Sequence, residues 1–148
     1  MSASDVPDYA GDLSAEDAYA FLQGRPDAVL VDVRTRAEWS FVGVPDLSAV
    51  GKQPLLIEWQ SFPAMQVDPA FAEKLEAELS ARGAPADAPL LFLCRSGGRS
   101  RAPAISAALG GRHACYNIAD GFEGPRDSDG HRGTLAGWKA AKLPWSQT

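Results

Sequence analysis

The sequence predicts an α/β fold, with a central parallel β-sheet of about five strands and helices on both faces. Two observations carry this prediction. Short apolar runs alternate with helical patterns along most of the chain, as βαβ units require. Two of those runs also end in chemistry: Asp32-Val33-Arg34 closes one, and Cys94-Arg95-Ser96-Gly97-Gly98-Arg99-Ser100 follows another. In such sheets ligands lie beyond the carboxyl ends of the strands, so both groups are placed where a site belongs. The 148 residues suit one domain with a real core, residues 1–148 with the core over about 13–141.

Residues 14–23 read as a helix. Ser14 is the cap, Glu16 and Asp17 favour the first turn, and Ala18, Phe21 and Leu22 share a face until Gly24 stops it. Residues 28–33 follow as a buried strand, and Thr35 to Ser40 as a short helix. Gly43-Val44-Pro45-Asp46 reads as a turn. Residues 54–59 form a further strand in this reading. Asp68-Pro69 opens the next helix, with Asp as cap and Pro at the first helical position, and Phe71, Leu75 and Leu79 recur every turn until Gly83. The run from Leu90 to Leu93 is the strand that feeds Cys94. A helix beginning near Ser100 carries Ala102, Ile105 and Leu109 on one face and closes at Gly110-Gly111. Residues 114–118 form another strand. Residues 121–133 contain four glycines and no apolar periodicity, so a long loop is expected before a final helix with Leu135 and Trp138.

Bulk properties narrow the function. A net charge of -5 argues against a general nucleic-acid or polyanion binder. Against that acidic background, three of the fourteen Lys and Arg residues fall between 95 and 101. Two cysteines form no disulfide scaffold and fit a reducing compartment. Residues 1–8 show neither the basic region nor the apolar core of a secretory signal. No apolar run approaches the ~20 residues that span a bilayer. A cytoplasmic monomer with no nucleic-acid or membrane partner is expected.

The loop from Cys94 to Ser100 says most about chemistry. Adjacent glycines let successive N–H groups turn inward as a nest. The following helix adds unpaired N–H groups and the positive end of its dipole. Arg95, Arg99 and Arg101 add charge. Every one of these terms favours thiolate over thiol, which makes Cys94 a nucleophile set up for an anionic partner.

On Asp32-Val33-Arg34, Glu38-Trp39, Gly43-Val44-Pro45 and the Cys94–Ser100 loop, the chain resembles the rhodanese family of single-domain sulfurtransferases, from about residue 13 to Trp138. The resemblance implies that Cys94 takes a sulfane sulfur as a persulfide and passes it to a thiophilic acceptor. It makes Arg95, Ser96, Gly97, Gly98, Arg99 and Ser100 the substrate cradle, with Asp32 and Arg34 supporting it. The implied partners are a small anionic donor, thiosulfate-like or a persulfide, and a thiol or cyanide-like acceptor, with a protein as a further sulfur acceptor. No cofactor is implied. Two departures stand out: Val44 occupies a position where many relatives carry His, and the family's closing glycine pair reads Asp120-Gly121.

Two other classes are weighed. A non-catalytic binding module of this family commonly lacks the cysteine, which this chain keeps; a domain that delivers sulfur to, or docks on, a specific protein is the other form of this alternative. Cysteine phosphatases and arsenate reductases use a similar cradle, but the related phosphatases have a loop one residue longer than the four residues between Cys94 and Arg99. The smaller ring suits a sulfur atom better than a phosphoryl group. Cys115, inside an apolar strand, reads as a buried inert thiol. His113 reads as a surface residue, and His131 lies in the long loop. The spacing of Cys94, Cys115, His113 and His131 matches no metal motif, so no metal site is expected.

Overall fold

A computed structural model describes residues 9–61 and 64–147, so the reading of residues 1–8 lies outside the described residues. Five strands form one parallel sheet, in the spatial order Gly11–Leu13, Cys115–Ile118, Leu90–Leu93, Val29–Asp32, Leu55–Leu56. They are β1 (Gly11–Leu13), β2 (Val29–Asp32), β4 (Leu55–Leu56), β7 (Leu90–Leu93) and β8 (Cys115–Ile118). The remaining strands are short pairs: β3 (Val44–Pro45) with β9 (Trp145–Ser146), and β5 (Gln60–Ser61) with β6 (Gln66–Val67), both antiparallel.

Four helices cover the sheet: α1 (Ala15–Gly24), α2 (Arg36–Phe41), α3 (Phe71–Ala81) and α4 (Gly98–Leu109). Alternation along β7 divides the core in two. Leu90, Phe92 and Cys94 face a cluster containing Phe71, Leu75 and Leu79 of α3 and Ala104 of α4. Leu91 and Leu93 face the other layer, with Ala15, Ala18 and Leu22 of α1 and with Phe122 and Trp138. The central strand is buried on both faces, as a parallel sheet requires.

The local signals for α1 and α2 hold. The Ser14 side chain accepts from the Asp17 N–H, and Thr35 and Glu38 form a reciprocal capping box at α2. Elsewhere the structure corrects the sequence. The strand expected over 54–59 pairs regularly only at Leu55–Leu56. Beyond that, Ile57 and Trp59 still donate to the carbonyls of Asp32 and Val33. Asp68 does not cap α3 directly. Its carboxylate accepts from the Ala70 N–H in a turn, and the helix begins at Phe71. α4 begins at Gly98, and its inner residues are Ser100, Pro103 and Ala104, while Ala102 and Leu109 are exposed. Burial follows the loop's docking on β8 rather than the apolar stripe.

Several short elements escaped the sequence, β1 and β3 among them. β1 is too short to show a periodic pattern and exists because it pairs along β8. The turn expected at residues 43–46 includes β3, which needs its distant partner β9. The predicted last helix is absent. Gly133 and Gly137 adopt φ of 83° and 100°, which a helix cannot contain, and residues 134–142 run as successive bends and turns. Trp138 is nonetheless fully buried, and its indole N–H donates to the Pro144 carbonyl at 2.6 Å.

Candidate active site

The site forms at the carboxyl ends of β2 and β7. β7 delivers Cys94 at 1% exposure, and the chain then curls so that the Gly97 N–H donates to Sγ at 3.1 Å. The curl needs φ of 97° at Gly97, which precedes α4 as a cap without a capping side chain. No side chain caps the first N–H groups of α4. A Cβ at Gly97 would overlap the Ala119 carbonyl oxygen and lie 2.5 Å from its carbon, so glycine is demanded twice over.

Three groups brace the loop from behind. Asn117, buried in β8, donates to the Gly97 carbonyl at 3.1 Å and accepts the Ser100 hydroxyl, and it also donates to Asp12 at 3.1 Å. Gly121, at φ 68°, lets the following segment press against Arg95, where a Cβ would meet the Arg95 carbonyl at 2.5 Å. The N–H groups of Phe122 and Glu123 then donate to the carbonyls of Cys94 and Arg95 at 2.8 and 2.9 Å. The start of the long segment over 121–133 is thus bonded to Cys94 and Arg95. Sequence reading missed Asn117, whose signal was an amide in the middle of an apolar strand.

Arg34 and Asp32 are both fully buried and bind each other through two contacts, Nε to Oδ1 at 2.9 Å and Nη2 to Oδ2 at 2.7 Å. Nη2 also donates to the Gly43 carbonyl at 2.8 Å, and the guanidinium stacks 4.3 Å from the Phe122 ring centroid. One buried cation therefore ties the end of β2 to β3 and to the segment that backs the cradle.

Arg99 reaches from α4 to Glu38 of α2, Nη1 to Oε1 at 2.9 Å and Nη2 to Oε2 at 2.8 Å. The Thr35 N–H and hydroxyl also meet Oε1, at 3.2 and 3.1 Å. Burial opposes charge on Glu38, yet the Arg99 guanidinium and these donors outweigh it and hold the carboxyl below its ordinary range. The same pairing raises Arg99. Arg95 is exposed, and its side chain makes no hydrogen bond or ion pair among the described residues. Arg95 and Arg99 wall a cavity of about 630 Å³ together with Thr35, Ala37, Glu38, Phe41, Val42, Met65, Glu123 and Arg132.

Other candidates fall away from this constellation. Cys115 lies in β8, where burial pushes its thiol up to about 11, and its Sγ donates to the Arg112 carbonyl at 3.3 Å. His113 and His131 are exposed, and it is Arg132, not His131, that reaches the cavity. Among the described residues no cluster of His, Cys, Asp and Glu is arranged to hold a metal ion, and no helix is long and apolar enough to cross a membrane.

The chain is similar to known proteins in sequence and fold. A family model described as "STR4 middle domain" matches residues 10–148. The crystal structure of Rv0390 from M. tuberculosis is 45% identical and superposes with a TM-score of 0.83, covering 95% of this chain and 99% of that one. A 30 kDa polysulfide-sulfur transferase homodimer from Wolinella succinogenes is 25% identical with a TM-score of 0.58, over 95% of this chain and 80% of that one. The rhodanese-like domain-containing protein 4 of Arabidopsis thaliana, chloroplastic, is 31% identical over 132 residues, 89% of this chain and 25% of that protein. With its parallel sheet and its Cys94 loop, this chain belongs to the rhodanese-like family.

Proposed function

We propose that the protein is a sulfurtransferase that carries sulfur as a persulfide on Cys94. The observation that supports this most is the loop itself, in which the Gly97 N–H donates to the Cys94 sulfur at 3.1 Å while the first turn of α4 leaves further donors open. Donors fixed before the reaction stabilise charge where it develops, with no reorganisation. In this reading the Cys94 thiolate attacks the outer sulfur of a donor such as thiosulfate. The S–S bond of the donor breaks, its electron pair leaves with sulfite, and a persulfide forms on Cys94. An acceptor thiolate or cyanide then takes the outer sulfur and returns Cys94 to thiolate. Atoms and charge balance at each step. The donor is a small anion, and the acceptor is a small thiophile or a protein thiol. Arg95 supplies positive potential at the exposed rim, Arg99 is held by Glu38, and residues 95–100 form the cradle.

Intact mass after incubation with thiosulfate tests the reading. One added sulfur is expected on the wild type and on Cys115→Ser, and none on Cys94→Ser. Equal loss in both variants, with folding preserved, would replace a single nucleophile by a two-cysteine mechanism. Turnover of an aryl phosphate would overturn the argument from loop size.

A further inference from the structure

Asn117 is the only asparagine in the chain, and it stands fully buried in the middle of an apolar strand. β8 places it in register with Phe92, two residues before Cys94, so its side chain leaves the sheet on the same face as the thiol. Its amide fits only one way round. Both hydrogens of Nδ2 go to oxygens that accept, the Gly97 carbonyl at 3.1 Å and Asp12 Oδ1 at 3.1 Å. Oδ1 takes the hydroxyl of Ser100. Asp12 Oδ1 also receives the Tyr9 hydroxyl at 2.9 Å, which fixes that oxygen as an acceptor. Neither hydrogen of the buried amide is left over.

The grip matters because of what Gly97 does with its other polar group. The same residue donates its N–H to Cys94 Sγ at 3.1 Å. Glycine has the widest backbone freedom of any residue, and at φ 97° this one precedes α4 with no side chain of that helix to hold it. Asn117 holds its carbonyl instead, from a strand that is paired on both sides. A hydrogen bond donated to sulfur favours the charged form, and it does so best when the donor is fixed in advance. We propose that Asn117 is a positioning residue: by gripping the Gly97 carbonyl it keeps the Gly97 N–H on the sulfur, and so raises the share of Cys94 present as the attacking thiolate. This rests on the reading of Cys94 as the nucleophile. It extends the machinery to a group twenty residues away, on a neighbouring strand.

Cys94 is the only thiol in a Cys115→Ser background, where its alkylation by iodoacetamide is followed by intact mass from about pH 6 to about pH 10. Asn117→Ser, shown folded by circular dichroism, is expected to react about tenfold more slowly than its parent at about pH 7. At the alkaline end, where both thiols are ionised, the two rates are expected within about threefold. A loosened loop gives the opposite sign, because Cys94 is 1% exposed and freeing it speeds alkylation at every pH. Asp12→Ala removes the other acceptor of the amide but leaves the grip on Gly97, and a rate within about twofold of the parent is expected. An unchanged or faster neutral rate in N117S, or an equal slowing in D12A, would overturn the proposal. A proton–nitrogen spectrum of the C115S protein needs no change at the amide. The side-chain pair of its single asparagine and the Gly97 N–H are expected to shift together through the midpoint of the alkylation profile, and an Asn117 pair that stays still overturns the proposal as well. Thiosulfate loading of the same proteins, read by intact mass, keeps the two levels apart. No sulfur on Cys94 in the parent sinks the sulfurtransferase reading, whereas full loading with an unshifted N117S profile sinks only the role of Asn117.

Discussion

Gly97→Ala is the sharpest test of how the cradle is held. At φ 97° an L residue is strained, at a cost of about 1–2 kcal/mol for left-handed backbone. The added methyl also overlaps the Ala119 carbonyl, which belongs to backbone and cannot rotate away. Relieving that overlap means shifting the loop or the end of β8, and overpacking of this kind costs about 1–3 kcal/mol. Together these remove about 2–5 kcal/mol from a stability of roughly 5–15 kcal/mol. The same shift draws the Gly97 N–H from the Cys94 sulfur and its carbonyl from Asn117. Gly98→Ala is the control. No atom lies within 4 Å of its Cβ and it sits in the first turn of α4, so about 0.5–1 kcal/mol of stabilisation is expected. Urea unfolding followed by circular dichroism reads both variants, and intact mass after a sulfur donor reads loading of G97A. A G97A protein within about 0.5 kcal/mol of wild type that still loads sulfur fully would refute the reasoning.

Three further expectations concern stability. Arg34→Met leaves Asp32 charged and unpaired in a fully buried site, for a loss of about 3–5 kcal/mol in urea unfolding, and the double variant with Asp32→Asn should recover part of it. Lys52→Met removes three hydrogen bonds from one ammonium to the carbonyls of Arg25, Pro26 and Ala28, and a loss of about 1–3 kcal/mol is expected. Burial raises the Cys115 thiol from 9.0 to about 11, so the folded state favours the neutral form. That contribution is complete below about pH 9 and is lost as pH rises toward 11. Stability measured across this window should therefore fall more steeply for wild type than for Cys115→Ala, and identical slopes would show that Cys115 does not titrate differently on folding.

The sequence by itself determined the fold class, the central strands, and the position of Cys94 at the end of one of them. It could do so because β2 and β7 are continuous apolar runs buried on both faces, and because α1, α2 and the Gly97-Gly98 turn carry their own caps and breaks. These are local signals, decided within a few residues. Tertiary structure decided what depends on distant partners. β1 and β9 are too short to announce themselves and exist only as neighbours of β8 and β3. The apolar spacing of Leu135 and Trp138 suggested a helix, but left-handed glycines at 133 and 137 and the docking of this segment on residues 120–123 outweighed it. Asn117 braces Gly97 from twenty residues away. Glu38 meets Arg99 across sixty-one residues. A charge read in sequence as open to an anion is already partnered in space, because pairing is fixed by where the chain returns and not by spacing along it.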